Sequence, residues 1–163
     1  MVALSGSRSR VRRAANFALI TVIFSFSLTS ALASGPDEAP LDATTLMRME
    51  ERAEAAQPRD QCYLFTEVLH GLTELAGRQI AAGDTIDAAA TIERINAVAA
   101  RVQQSSSADA RHLKNAEELL QHTTRRLTDM AHIVSGSEHA AMQTTLQHLD
   151  RVHTQVLSLV FAR

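Results

Sequence analysis

Apolar side chains recur every three or four residues along most of the chain after residue 42, which is the spacing of one face of an α-helix. The pattern is longest in two stretches near the C-terminus: Leu113, Ala116, Leu120, Thr123, Leu127, Met130 and Val134, then Met142, Leu146, Leu149, His153, Val156 and Val160. Two earlier stretches also show it: Cys62, Phe65, Leu69, Leu72, Ala76 and Ile80, then Ile92, Ile95, Ala99 and Val102. No stretch of useful length alternates as a strand does, so the sequence predicts an all-α protein.

Helix-capping and helix-breaking residues divide this pattern into five helices. Asp42 is a good N-cap for a short helix that runs to about residue 56, before Pro58. A second helix is expected over 61–82, because Gly83 suits a left-handed C-cap, and a third from Asp84 as N-cap to 104. A fourth begins at the N-cap Asp109 and runs to 135, and a fifth covers 137–161. With one apolar stripe per helix and short connections, these elements predict an elongated antiparallel four-helix bundle with a short additional N-terminal helix.

The first 33 residues have the organisation of a signal peptide. Four arginines lie between Arg8 and Arg13, an apolar run covers 14–28, and small residues end in Ala31-Leu32-Ala33. The run is shorter than the roughly 20 residues that span a bilayer. We therefore expect cleavage after Ala33, with general secretion favoured over the twin-arginine route and over an uncleaved anchor. The domain organisation follows: signal peptide 1–33, flexible linker 34–41 and helical bundle 42–163, exported from a bacterial cell to the periplasm or beyond.

Charge and composition exclude several classes of function. Without residues 1–33, 12 Lys and Arg face 18 Asp and Glu, a net charge of −6, and three aromatic residues remain. A nucleic-acid-binding surface requires the opposite balance. The single cysteine excludes a disulfide framework. The sequence has no glycine-rich phosphate loop or serine nucleophile motif, so we expect no enzymatic activity.

The seven histidines raise the question of a metal or haem cofactor. No two of them have the three- or four-residue spacing that places two ligands on one helical face. Glu67 and His70 form an E-x-x-H sequence, which resembles half of a di-iron carboxylate motif. Such a site requires matching Glu and His residues that point into the bundle. We therefore interpret this pair as part of a solvated helix face. His153 lies within the apolar stripe of the last helix. The sequence leaves open a hydrogen-bonded interface histidine or an axial haem ligand opposite Met47 or Met49, with the second option the less favoured.

Two features of the second helix could mark a functional surface. Tyr63, Glu67, His70 and Glu74 share one face, which we place opposite the apolar stripe, next to Gly71 in mid-helix. Glycine costs about 1 kcal/mol there relative to alanine, which close contact with another helix or a ligand would explain. Cys62 is expected to be a small buried hydrophobe, with an intermolecular disulfide as the alternative.

Together these patterns predict an exported, non-enzymatic helical bundle that acts by binding or self-association, with a second copy or an envelope protein as its partner. The alternative is a metal- or haem-binding protein that uses several of the histidines.

Overall fold

The computed structural model describes residues 41–162, without the side chain of Ser137. Helices cover 84% of the described residues, and this part of the chain contains no strand. The five helices are α1 (Ala43–Ala55), α2 (Pro58–Ala82), α3 (Thr85–Ser105), α4 (Leu113–Ala131) and α5 (Ser137–Phe161). All five belong to one compact unit. The prediction of an all-α helical bundle is therefore confirmed. The predicted signal peptide, its cleavage after Ala33 and the linker up to residue 40 lie outside the described residues.

Most helices begin and end at the capping residues that the sequence predicts. The Asp42 carboxylate accepts a hydrogen bond of 2.7 Å from the Thr45 amide, and Gly83 closes α2 in the left-handed conformation at φ 77°. Asp84 occupies the N-cap position of α3, but its side chain makes no capping hydrogen bond. The predicted start of α2 at residue 61 is wrong by three residues. Pro58 begins the helix instead, since its fixed φ and missing N–H suit the first helical position.

The four long helices pack as two hairpins placed side by side. Within each hairpin the helices are antiparallel: α2 turns into α3, and α4 turns into α5. Between the hairpins the neighbouring helices are parallel, with α2 beside α4 and α3 beside α5. The contacts show the direction, because Asp60 pairs with Arg111 while Glu74, further along α2, pairs with Arg126, further along α4. The antiparallel prediction is thus correct within the hairpins and wrong between them.

This arrangement explains why α4 is shorter than predicted. Residues 106–112 form a connection from the end of α3 to the start of α4, and these two helices do not pack against each other. The Arg111 amide donates a hydrogen bond of 2.6 Å to the Arg59 carbonyl at the start of α2. His112 adopts a left-handed conformation at φ 58° immediately before α4. The predicted start of α4 at Asp109 and its end at residue 135 are therefore both wrong.

Helix α1 lies antiparallel on α2 and accounts for the mid-helix glycine. A Cβ atom at Gly71 would stand 2.5 Å from Leu46 Cδ2 and 3.0 Å from Leu41 Cδ1, so the absence of a side chain allows α1 to approach. Leu46 is fully buried. Two ion pairs extend the contact to α3: Glu50 with Arg94 at 2.8 Å, and Glu54 with Arg101 at 3.3 Å.

The core is aliphatic apart from Phe65 and includes threonines that hydropathy does not predict. Thr66 and Thr73 of α2 are fully buried, and each hydroxyl donates to the carbonyl four residues earlier, at 2.8 and 3.0 Å. Such bonds satisfy the hydroxyl within its own helix. Because these threonines are self-satisfied, α2 can be buried against α1, α3 and α4 together. Helix α2 is the central element of the fold.

Candidate functional site

The face of α2 that carries Tyr63, Glu67, His70 and Glu74 lies against α4. All four side chains are half-buried, which corrects the interpretation of this face as solvated. Two parallel helices that pack side by side leave a groove along their line of contact. We call this the α2–α4 groove. Its walls are the four residues above and, from α4 and its N-cap, His112, Asn115, Leu119, His122 and Arg126.

The upper part of the groove lies where α1 meets α2. Here a concavity of about 800 Å³ is lined by Tyr63, Leu64, Glu67 and His112. Five residues of the α1–α2 corner complete it: Arg52, Ala55, Ala56, Gln57 and Asp60. The rings of Tyr63 and His112 are 5.4 Å apart at a 48° tilt. Burial, together with the hydrogen-bonded Glu67 carboxylate, raises the pKa of the Tyr63 hydroxyl. Tyr63 therefore remains a neutral hydrogen-bond donor in this concavity at physiological pH.

The lower part of the groove is a second concavity of about 500 Å³. His70 Nδ1 lies 3.3 Å from Thr123 Oγ1, and the Thr123 hydroxyl donates its hydrogen to the Leu119 carbonyl at 2.7 Å. The Thr123 oxygen must then accept, so His70 carries its hydrogen on Nδ1. Glu74 Oε1 is 3.3 Å from Arg126 Nε.

The upper and lower concavities share no wall residue but are linked through a third one. A smaller one between them shares Tyr63 with the upper concavity, and Leu119 and His122 with the lower one. At 1.5 Å per residue, the α4 wall from His112 to Arg126 is about 20 Å long. The groove is open to solvent along its length, and both of its walls carry carboxylate and imidazole groups, with guanidinium groups on the α4 wall.

Sequence reasoning found the α2 wall of this groove but missed the α4 wall. Leu119, His122 and Arg126 are unremarkable polar and apolar residues of an amphipathic helix. The signal that could have found them is Thr123, which is fully buried within the apolar stripe of α4. Its hydroxyl donates to the Leu119 carbonyl within α4, and its oxygen can still accept a hydrogen bond from a neighbour, which here is His70.

The residues considered for a haem or metal site contact separate partners. His153 Nε2 donates to Glu117 Oε1 at 2.9 Å across the α4–α5 interface. Met49 packs from α1 against the core, and His70 contacts α4. The described residues hold no group of three or more His, Cys, Asp or Glu side chains arranged to bind a metal ion. The geometry of His153 is that of a hydrogen-bonded interface histidine.

The thiol of Cys62 is fully buried within α2. Burial raises its pKa to about 11, so the reactive thiolate is scarce at neutral pH. This environment suits a small apolar side chain and neither a nucleophile nor a disulfide to another molecule.

No family model, curated protein or solved structure matches the chain. Among the described helices, none combines the length and apolar character that crossing a bilayer requires.

Proposed function

We propose that the chain is an exported, non-enzymatic protein that binds another protein chain through the α2–α4 groove, with α2–α5 acting as one four-helix unit and α1 as its outer brace. The observation that carries the proposal is the groove itself: three adjoining concavities that form a polar trough about 20 Å long between two parallel helices. Export is supported by the basic, apolar and small-residue segments over 1–33.

The shape of the groove favours a polypeptide over a small molecule. Small-ligand sites enclose most of the ligand surface in a concave, mainly apolar cavity. The α2–α4 groove is open along its side, and Leu64 and Leu119 are isolated apolar positions between charged ones. A helix or extended segment with alternating charges and occasional apolar side chains fits such a trough.

Charge on the two walls also favours a mixed-charge partner. Glu67 and Glu74 lie on the α2 wall, and Arg126 neutralises the second of them. Glu67 makes no ion pair among the described residues, and neither does Arg125 at the rim of the lower concavity. A bound segment can satisfy both charges, which gives orientation and specificity to the contact.

Site-specific photocrosslinking tests the proposal. A photoreactive amino acid replaces Leu119 or Glu67 in the groove, or Gln147 or Asp150 on the exposed face of α5 as matched controls. The full chain is expressed in its native host and irradiated. We expect a crosslinked polypeptide from the groove positions and none from the control positions. The proposal fails if irradiation at the groove positions yields no crosslinked product, or if the controls yield the same product.

A further inference from the structure

The outward face of α4 carries a symmetric arrangement of charges. Lys114, Glu118, Gln121, His122, Arg125 and Asp129 lie within about 100° of one another on the helix, opposite the buried stripe. All six are exposed. We call this face the α4 ridge.

The symmetry is centred between Gln121 and His122. Glu118 stands three residues before Gln121, and Arg125 stands three residues after His122. Lys114 stands seven residues before Gln121, and Asp129 seven residues after His122. Glu118 therefore has a basic counterpart, Arg125, at the same distance on the other side of the centre. Lys114 has an acidic counterpart, Asp129, in the same way.

The intramolecular partners of these charges are weak or absent. Lys114 Nζ and Glu118 Oε1 are 3.9 Å apart, at the limit of an ion pair, and both side chains are more than half exposed. Neither Arg125 nor Asp129 makes an ion pair within the described residues. The full ridge is thus available for charges from outside the molecule.

We propose that the α4 ridge, which borders the α2–α4 groove, docks on the α4 ridge of a second copy of the chain, antiparallel and about a two-fold axis between Gln121 and His122. This inference rests on the proposed function and names its partner. A two-fold axis brings residue i of one copy to residue j of the other and the reverse. Glu118 then faces Arg125 of the second copy, and Lys114 faces its Asp129, so that each pair forms twice.

An exposed apolar side chain completes this interface. Ile133, which follows α4, is 75% exposed. In the antiparallel arrangement it reaches the level of residues 110–112 of the other copy. That level is the upper concavity of the α2–α4 groove, where Tyr63, Leu64 and His112 form the walls. Exposed ion pairs contribute little affinity by themselves, so burial of two Ile133 side chains is what stabilises the dimer, and the charges set its register.

A charge-exchange experiment tests this arrangement. The chain beginning at Ser34 is studied by analytical ultracentrifugation over a range of concentrations at low salt. We expect a monomer–dimer equilibrium that weakens as salt is raised. Glu118→Lys places like charges opposite each other at two symmetric positions and should raise the dimer Kd at least about tenfold. Arg125→Glu alone should do the same, whereas the double variant exchanges the two charges and should restore the dimer.

Asp150→Lys is the matched control, since it makes the same charge change on the exposed face of α5, and it should leave the Kd unchanged. Ile133→Ser should weaken the dimer without affecting its salt dependence. Far-UV circular dichroism verifies that each variant is folded. A monomer at all concentrations overturns the inference, as does a dimer that Glu118→Lys leaves intact. If the chain is monomeric but still crosslinks a different protein at Leu119, the inference fails while the proposed function stands.

Discussion

The close contact between Gly71 and Leu46 predicts that the effect of Gly71→Ala on the free energy of unfolding changes sign when Leu46 is shortened. Replacing Gly71 by alanine adds a Cβ atom 2.5 Å from Leu46 Cδ2. Carbon atoms at their best separation are about 3.5–4.0 Å apart, so Leu46 must move away by about 1 Å or more. Leu46 is fully buried and has no solvent space on this side to enter.

Two opposing contributions set the magnitude. Overpacking a tight contact costs about 1–3 kcal/mol, while exchanging glycine for alanine within a helix gains about 1 kcal/mol. Gly71→Ala should therefore lower the free energy of unfolding by up to about 2 kcal/mol. With Leu46→Ala already in place, the steric conflict is largely removed. The same substitution should then raise the free energy of unfolding by up to about 1 kcal/mol.

The assay is a double-mutant cycle measured by urea denaturation with circular dichroism, combined with hydrogen exchange of the α1 amides. We expect the destabilisation to appear first in the α1 amides, since α1 contacts the rest of the fold mainly through α2. Gly77→Ala is a matched control, because its Cβ would lie 3.1 Å from Arg126 Nη2 and Met130 Sδ, and none of its nearest neighbours belongs to α1. Equal effects of Gly71→Ala in both backgrounds would refute the role assigned to Leu46.

Three further predictions follow from other contacts. Because burial raises the pKa of Cys62 to about 11, a thiol reagent at neutral pH should modify it only after denaturation, and rapid modification of the folded chain would contradict this environment. The hydrogen bonds from Thr45 lower the pKa of Asp42 below 3.8, so its stabilisation of α1 is complete above that pH and is lost as pH falls through the folded-state value. An NMR titration should give Asp42 a carboxyl pKa lower than that of an aspartate in an unfolded chain, and Asp42→Asn should abolish the pH dependence of the protection factors of the α1 amides in this range. Glu117→Ala leaves the His153 donor without its partner and should cost about 1–3 kcal/mol of unfolding free energy, whereas Glu117→Gln keeps an acceptor and should cost less in the same denaturation assay.

Local sequence signals predicted the helices well, because each signal acts within one turn. The Asp42 N-cap, the left-handed Gly83 and the Gly136 break all lie where backbone hydrogen bonding requires them. The start of α2 was missed because Pro58 can either stop one helix or begin the next. Which of these it does depends on α1 folding back onto α2, a contact between distant residues.

The candidate site shows a similar division between local and long-range information. The sequence identified Tyr63, Glu67, His70 and Glu74 as one face, since helical spacing fixes that relation. It could not show that the face is packed against α4, because α2 has a second buried surface made of Thr66, Thr73 and two glycines, which hydropathy treats as neutral. The parallel placement of α2 beside α4 is a property of the two hairpins together, and no single helix encodes it.

The seven-residue connection from α3 to α4 has a practical consequence. Each hairpin keeps its own turn, and the hairpins contact each other through both parallel helix pairs, α2 with α4 and α3 with α5. A break in the backbone near Ser107 therefore removes one covalent link and produces two fragments. Each fragment contains one complete hairpin, and together they contain every core residue. Coexpressed halves ending and beginning at this point should recombine into the intact fold, which makes the molecule a natural scaffold for fragment complementation.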